Sequence, residues 1–334
     1  MRVFVTGGTG FVGANVVRSL LERGYSVRCL IRESSPRLCV EGLDVEFVEA
    51  SLSDVDALAH AMDGCGAVQH VAGTYDSSPK GKERMHFIHV DATRNLMDAA
   101  LKVGAERFIV CSSSVTVGWG SYEKPGDEQT PISNLDDVYG VGTALRAYYD
   151  SKIASENLAS AYAAKGLGAV VVNPDYVIGE WDVKPTSGAM IVNIAKHWVP
   201  VYPKGGKCFI GARDCADGHV LAMESGVPGR RYLLGIENHS YQSFMTTIAE
   251  VVGRRPPALP IPRLATQAAG LAGRVVARVD PHKATALDAQ VLRSMQEERY
   301  RSGRLAIEEL GLPHTPLKVC IERAFRWFRD HGYC

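Results

Sequence analysis

Apolar and polar positions in the first half of the chain fall into two alternating rhythms. Short, nearly continuous apolar runs occur at Arg2–Thr6, Ser26–Ile31, Val45–Glu49, Ala67–His70, Arg107–Cys111 and Ala169–Val172. Runs of this length, rich in Val, Ile and Phe, predict strands buried on both faces, as in a parallel sheet. Between them, apolar residues three and four apart predict amphipathic helices over 11–23, 54–63, 91–104 and 148–165. Val16, Val17, Leu20 and Leu21 form the stripe of the first helix, and Gly24 is placed to stop it. Strand–helix alternation predicts an α/β fold, a Rossmann-type doubly wound parallel sheet with right-handed crossovers.

The rhythm breaks after Pro174. Residues 175–208 read as irregular, with Pro185, Pro200, Pro203 and a Gly205-Gly206 turn. Residues 209–235 read as a return to the sheet ending in Tyr232-Leu-Leu234, and about 239–334 as mostly helical, interrupted by the proline-rich 256–262. The expected organisation is a cofactor-binding domain over 1–174, rejoined by 209–235, and a smaller, mostly helical substrate lobe over 175–334. That lobe caps the carboxyl edge of the sheet, where open α/β sheets bind ligands.

Composition narrows the class. With 334 residues and 46% hydrophobic content there is material for one large domain and a lobe. The 37 basic and 37 acidic residues cancel, so no nucleic-acid or anionic-membrane partner is expected. No apolar run is long enough to span a bilayer, and the glycine turn starts too near Met1 to leave room for a signal peptide. Eight cysteines without a C-x-x-C lead to the expectation of a reduced, cytoplasmic protein; ten histidines without H-E-x-x-H or H-x-E give no metal site.

The candidate chemistry begins at Gly7, Gly10 and Gly13, where a strand runs into a helix. Glycine permits a tight turn and close approach to a pyrophosphate, whose charge meets free N–H groups at the helix start. The loop residues Gly7, Thr9, Gly10, Phe11, Val12 and Gly13 are the expected contacts. The G-x-x-G-x-x-G spacing is the form used by short-chain dehydrogenase/reductases. About 20 residues on, Arg32 ends the second strand, where an arginine accommodates the 2′-phosphate of NADP and an acid selects NAD. Arg32, helped by Ser34 and Ser35, favours NADP(H); the alternative gives the ribose to Glu33 and leaves Arg32 to solvent. Tyr148-x-x-x-Lys152 places a phenol and an ammonium on one helix face, and the ammonium is expected to draw the phenol's pKa down. Tyr149 breaks the spacing. Ser114, in the serine run ending a strand, is the expected group that steadies the substrate oxygen.

Together these residues resemble the extended short-chain dehydrogenase/reductase superfamily, and within it the branch of dihydroflavonol-reductase-like proteins and hopanoid-associated sugar epimerases. The resemblance runs almost end to end, through Asn173–Gly179, Asp182–Thr186, Arg213-Asp214 and the ending Trp327–Tyr333. It implies Ser114, Tyr148 and Lys152 as a catalytic triad, with Lys152 also on the nicotinamide ribose. It implies Pro174–Val177 at the nicotinamide carboxamide and a homodimer formed through the helices near 91–104 and 148–165. Ala72, after the fourth strand, is assigned to the same cofactor. Ser51-Leu52 stands where relatives carry Asp-Leu against adenine. His89 stands where they carry an asparagine, leaving it as a proton relay or a structural histidine.

The first reading is an NADP(H)-dependent reductase of a small, hydrophobic ketone or aldehyde, or the reverse reaction, with Tyr148 as acid/base. Tyr75, Trp119, Tyr176, Trp181 and Met190 are the expected pocket, with core packing the alternative for several. The second reading is a nucleotide-sugar epimerase or dehydratase holding its NAD(P). Lys207 stands where such enzymes carry an arginine, but Gly179-Glu-Trp181 lacks their Gly-Pro-Arg. A non-catalytic nucleotide sensor is expected to lose part of Ser–Tyr–Lys, and all three are present.

Overall fold

β1 (Arg2–Thr6) is fully buried from Val3 to Val5 and runs into Gly7, whose φ of +73° turns the chain toward α1 (Phe11–Glu22). α1 buries Val16, Val17 and Leu20 and stops where Gly24 takes φ +79° and the Tyr25 N–H donates to the Leu20 carbonyl (3.0 Å). There follow β2 (Ser26–Ile31), β3 (Val45–Glu49), α2 (Val55–Met62), β4 (Ala67–His70), α3 (Gly81–His86), α4 (Ala92–Val103), β5 (Arg107–Cys111), α5 (Leu135–Tyr139), α6 (Ala144–Ala163) and β6 (Gly168–Pro174). α6 starts four residues earlier than its periodicity predicts, because the Thr143 hydroxyl accepts from the Arg146 N–H (3.1 Å) and caps it. Tyr148 therefore sits inside the helix rather than at its frayed end.

The structure, a computed structural model, describes residues 1–262 and 293–334. Beyond β6 come β7 (Tyr176–Ile178), α7 (Ala189–Lys196), β8 (Val201–Tyr202), β9 (Gly206–Gly211), α8 (Ala212–Ser225), β10 (Arg231–Leu234), β11 (Glu237–Ser240), α9 (Tyr241–Val251), β12 (Leu259–Pro260), β13 (Glu298–Arg299), α10 (Arg304–Leu310) and α11 (Leu317–Asp330). The segment read as irregular thus holds a helix and short strands, which are too brief to leave a period. α8 and β10 return to the main sheet, but β9 joins a separate four-stranded sheet with β7, β11 and β13. The helical reading of 263–292 lies outside the described residues.

The main sheet is parallel throughout, in the order β10-β6-β5-β4-β1-β2-β3. The order reverses between β1 and β4, which opens a crevice at their carboxyl ends. Val3, Val5, Ile109 and Val172 pack toward α1 and α8, while Phe4, Val68, Phe108 and Val110 pack toward α2, α4 and α6. A third core, including Phe209, Phe244, Ile321 and Phe328, holds the lobe together. No helix among the described residues is long and apolar enough to cross a membrane.

Candidate active site

The crevice is lined by backbone. Gly10 is the N-cap of α1, with no side chain bonded over it and no acid in the first turn, so the first N–H groups face outward unopposed by negative charge. A Cβ on Gly13 would lie 2.1 Å from the Gly7 carbonyl oxygen, and one on Gly7 would lie 2.6 Å from the Ala72 nitrogen. Only glycine at both positions lets β1, α1 and the end of β4 meet this closely, and the concavity left fits a pyrophosphate. Ala72 is fixed there by its N–H, which donates to Thr6 Oγ1 (3.3 Å). Thr9, Phe11 and Val12 line the loop half-buried.

Arg32 is exposed just beyond β2, in a turn closed by its own N–H donating to Ser35 Oγ (3.0 Å) and by Ser35 N–H donating back (2.8 Å). Among the described residues no carboxylate pairs with its guanidinium; Glu33 and Ser34 are exposed beside it. Ser51 accepts from Ser53 N–H (3.2 Å), and the Leu52 carbonyl accepts from Asn95 (2.8 Å). The cradle thus offers free backbone N–H groups on a bare glycine surface, the donors that the pyrophosphate of a dinucleotide needs.

α6 brings Tyr148 and Lys152 to the same crevice. Lys152 Nζ donates to the Cys111 carbonyl at the end of β5 (2.8 Å) and lies 5.9 Å from the Tyr148 ring centroid. A Cβ on Gly73 would lie 3.3 Å from that Nζ and 3.4 Å from His89 Nε2, so the loop after β4 passes close to both groups. Tyr75 and His89 meet the Tyr148 ring edge-on at 5.7 and 5.6 Å.

Ser114 is buried at the start of a short 3₁₀ turn, Ser114–Thr116, and Ser113, the N-cap of that turn accepting from Val115 N–H (3.3 Å), is the serine whose side chain acts on the Tyr148 phenol. The ammonium does not lower the phenol as expected: burial pushes Tyr148 up to about 12, with only the Ser113 side chain acting the other way. Burial likewise lowers Lys152. The site holds a neutral phenol, ready to give a proton.

His89 is fully engaged. Thr74 N–H donates to its Nε2 (3.1 Å), so Nδ1 carries the proton and donates to Ser151 Oγ (2.9 Å), which donates to the Tyr148 carbonyl (2.9 Å). Burial, and then the Lys152 charge, bring it down to about 2. Both ring nitrogens are thus hydrogen-bonded, and through Ser151 the histidine braces the Tyr148 turn.

The expected pocket residues divide. Tyr75 is at the phenol. Trp119, just past the serine turn, carries the Arg299 guanidinium at 4.2 Å and that of Arg301 at 5.7 Å. Tyr176 packs on Phe209 and Phe244, with Lys207 Nζ 5.3 Å from its ring. Lys207 and Arg301 share buried Asp175 at 3.6 and 2.8 Å, and Glu297 pairs with Arg299 (2.8 Å). Trp181, at φ +74°, lies between Arg18 of α1 (3.7 Å) and Trp327 of α11 (5.7 Å), the packing alternative, where it fastens the lobe to α1. Met190 is likewise taken up by the lobe core. Pro174 ends β6 and Val177 is buried in β7, in the main core cluster. Sequence reasoning missed Ser113, Glu156, Arg299 and Arg301; of these only Glu156 had a legible signal, four residues after Lys152 on one helix face.

Residues 3–235 match the family model described as the NAD dependent epimerase/dehydratase family. The chain is 36% identical over 338 residues to a Synechocystis protein named "Putative dihydroflavonol 4-reductase", covering 99% of this chain and 95% of that one. It is 30% identical to "Sterol demethylase protein B" of Methylococcus capsulatus, with 99% of each covered. Among solved structures it superposes with a TM-score of 0.80 on PA4631, a nucleoside-diphosphate-sugar epimerase from Pseudomonas aeruginosa, at 26% identity over 100% and 99% of the chains.

Proposed function

The chain belongs to the NAD dependent epimerase/dehydratase family, within the extended short-chain dehydrogenases/reductases, and from that premise we propose that it is an NADP(H)-dependent carbonyl reductase. Its substrate is a small, hydrophobic ketone or aldehyde, and the reverse oxidation is the same step run backward. The observation that carries the reading is Tyr148, half-buried on one helix face with Lys152, beside the serine turn and the glycine cradle. When bound, NADPH supplies the hydride. The backbone of Gly7, Thr9, Gly10, Phe11, Val12 and Gly13 holds the pyrophosphate. Arg32 meets the 2′-phosphate, and Ser51, Leu52 and Ala72 border the adenosine half. Pro174 and Val177 border the nicotinamide. Tyr148 gives its proton to the carbonyl oxygen as the alcohol forms, Ser113 holds that oxygen, and Lys152 places its positive charge against the phenolate left behind. Tyr75 and Trp119 supply apolar wall.

A second reading, a nucleotide-sugar epimerase or dehydratase, draws support from Lys207, Arg299 and Arg301 gathered near Trp119. Against it, Asp175 and Glu297 already neutralise most of that charge. The experiment that separates them mixes the protein with NADPH and a panel of aryl and alkyl ketones, then with UDP-glucose, and follows NADPH absorbance. Stoichiometric loss of NADPH with a ketone is the expected result. Conversion of the nucleotide sugar without net loss of cofactor overturns the reductase reading.

A further inference from the structure

Glu156 is buried one helical turn beyond Lys152, and its carboxylate accepts from four side chains. Oε1 accepts from Ser112 Oγ (2.5 Å), Thr116 Oγ1 (2.6 Å) and Asn173 Nδ2 (2.7 Å); Oε2 pairs with Arg231 of β10 at 3.2 Å. Asn173 Nδ2 also donates to the Ser113 carbonyl (3.2 Å) and contacts Thr116 Oγ1 (2.9 Å). The residues so gathered bracket Ser113 on both sides. One carboxylate therefore joins the ends of β5 and β6 and the edge strand β10 to the helix bearing the phenol and the ammonium.

We propose that Glu156 is a positioning residue: its carboxylate clamps the serine turn against α6 and supplies the negative charge that Lys152 faces. The proposal rests on the Ser113–Tyr148–Lys152 reading of the site. The groups facing Lys152 come from five elements. They are Cys111 of β5, His70 of β4, His89 of the turn before α4, His219 of α8, and Tyr148 and Glu156 of α6 itself. Burial keeps the three histidines uncharged, down to about 3, 2 and 3, and pushes the Cys111 thiol and the Tyr148 phenol up. Glu156 is thus the one carboxylate in this set, and its charge opposes the burial that lowers Lys152. A lysine in such surroundings loses its proton readily unless a fixed anion stands near.

Both functions can be read on the protein without substrate. In E156Q the amide oxygen still accepts from Ser112, Thr116 and Asn173, so the variant removes the charge and keeps the clamp; E156A removes both. The Lys152 resonance in ¹³Cε-lysine NMR, identified by its loss in K152R, titrates about one pH unit lower in E156Q than in the native protein. Should E156Q fold poorly because Arg231 is left without its partner, E156Q/R231M removes both charges and gives the same shift. Amide exchange across 112–118 is native-like in E156Q and at least about tenfold faster in E156A, as expected when a turn loses its ties. An unmoved Lys152 midpoint in a folded charge-removing variant overturns the counter-charge role, and native-like exchange in E156A overturns the clamp. Neither result bears on the reductase reading, which fails only through turnover.

Discussion

Gly13→Ala adds one methyl group at the tightest point of the cradle. Its Cβ would stand 2.1 Å from the Gly7 oxygen, 2.7 Å from the Gly7 carbonyl carbon and 3.0 Å from Gly8 Cα. An ordinary carbon–oxygen contact is about 3.3 Å, so the Gly7–Gly8 backbone must withdraw by about 1 Å. All three obstructing atoms are backbone, so no rotamer change relieves them. Overpacking of this kind costs about 1–3 kcal/mol, a fall of several degrees in Tm. The displaced loop loses at least one hydrogen bond to the charged pyrophosphate, worth about 1.5–3 kcal/mol, which raises the NADPH Kd about tenfold to a hundredfold. Gly24→Ala is the control. At φ +79° with nothing within 4 Å of the added carbon, it carries strain but no clash, at the far end of α1. It costs about 1 kcal/mol of stability and leaves cofactor affinity alone. Thermal unfolding and NADPH fluorescence titration read the two effects separately. Native-like NADPH binding by Gly13→Ala, or equal weakening by Gly24→Ala, refutes the placement of the cofactor in this cradle.

Three further outcomes follow from the same geometry. Arg32→Ala weakens NADPH binding at least about tenfold and NADH binding little, since the lost guanidinium served only the 2′-phosphate; equal losses for both cofactors rule that role out. His70, His89 and His219 are held neutral when folded, at about 3, 2 and 3, against 6.5 as free side chains. The unfolded chain therefore binds more protons below pH 6.5, and stability falls as pH drops. Each histidine contributes about 1–2 kcal/mol of loss between pH 6.5 and 5, and thermal unfolding flat across that range contradicts their neutrality. In the protein without cofactor, the difference at 295 nm between native and Tyr148→Phe shows no phenolate below about pH 10; a transition near pH 7 shows that the ammonium, not burial, governs Tyr148.

What the sequence made legible was local. β1, the Gly7–Gly13 turn and α1 each leave a short-range signature, because glycine spacing and apolar period come from the backbone path itself. Tyr148 and Lys152 were legible because a helix converts a four-residue spacing into a shared face. Ser113 was not, because three consecutive serines differ only in which one caps the turn that follows, and that is settled by the strand end. The sequence left Trp181 open between pocket and packing, because the groups its ring meets, Arg18 and Trp327, are both more than 140 positions away in the chain. Distance along the chain likewise hid Arg299, in the two-residue strand β13, and Arg301, just beyond it, which both reach Trp119. The expected fall in the Tyr148 pKa failed for a different reason. Spacing shows that an ammonium is near, but not how far the fold withdraws the phenol and the ammonium from water.

The most direct measurement compares the native protein with Tyr148→Phe on whichever ketone of the panel the native protein reduces, with NADPH affinity measured alongside turnover. The substitution removes one hydroxyl from a ring that is otherwise kept in place by Tyr75 and His89. Turnover reduced at least about a hundredfold, with NADPH affinity unchanged, is the predicted result for loss of the proton donor. Near-native turnover in Tyr148→Phe contradicts the assignment of Tyr148 as the group that protonates the carbonyl oxygen.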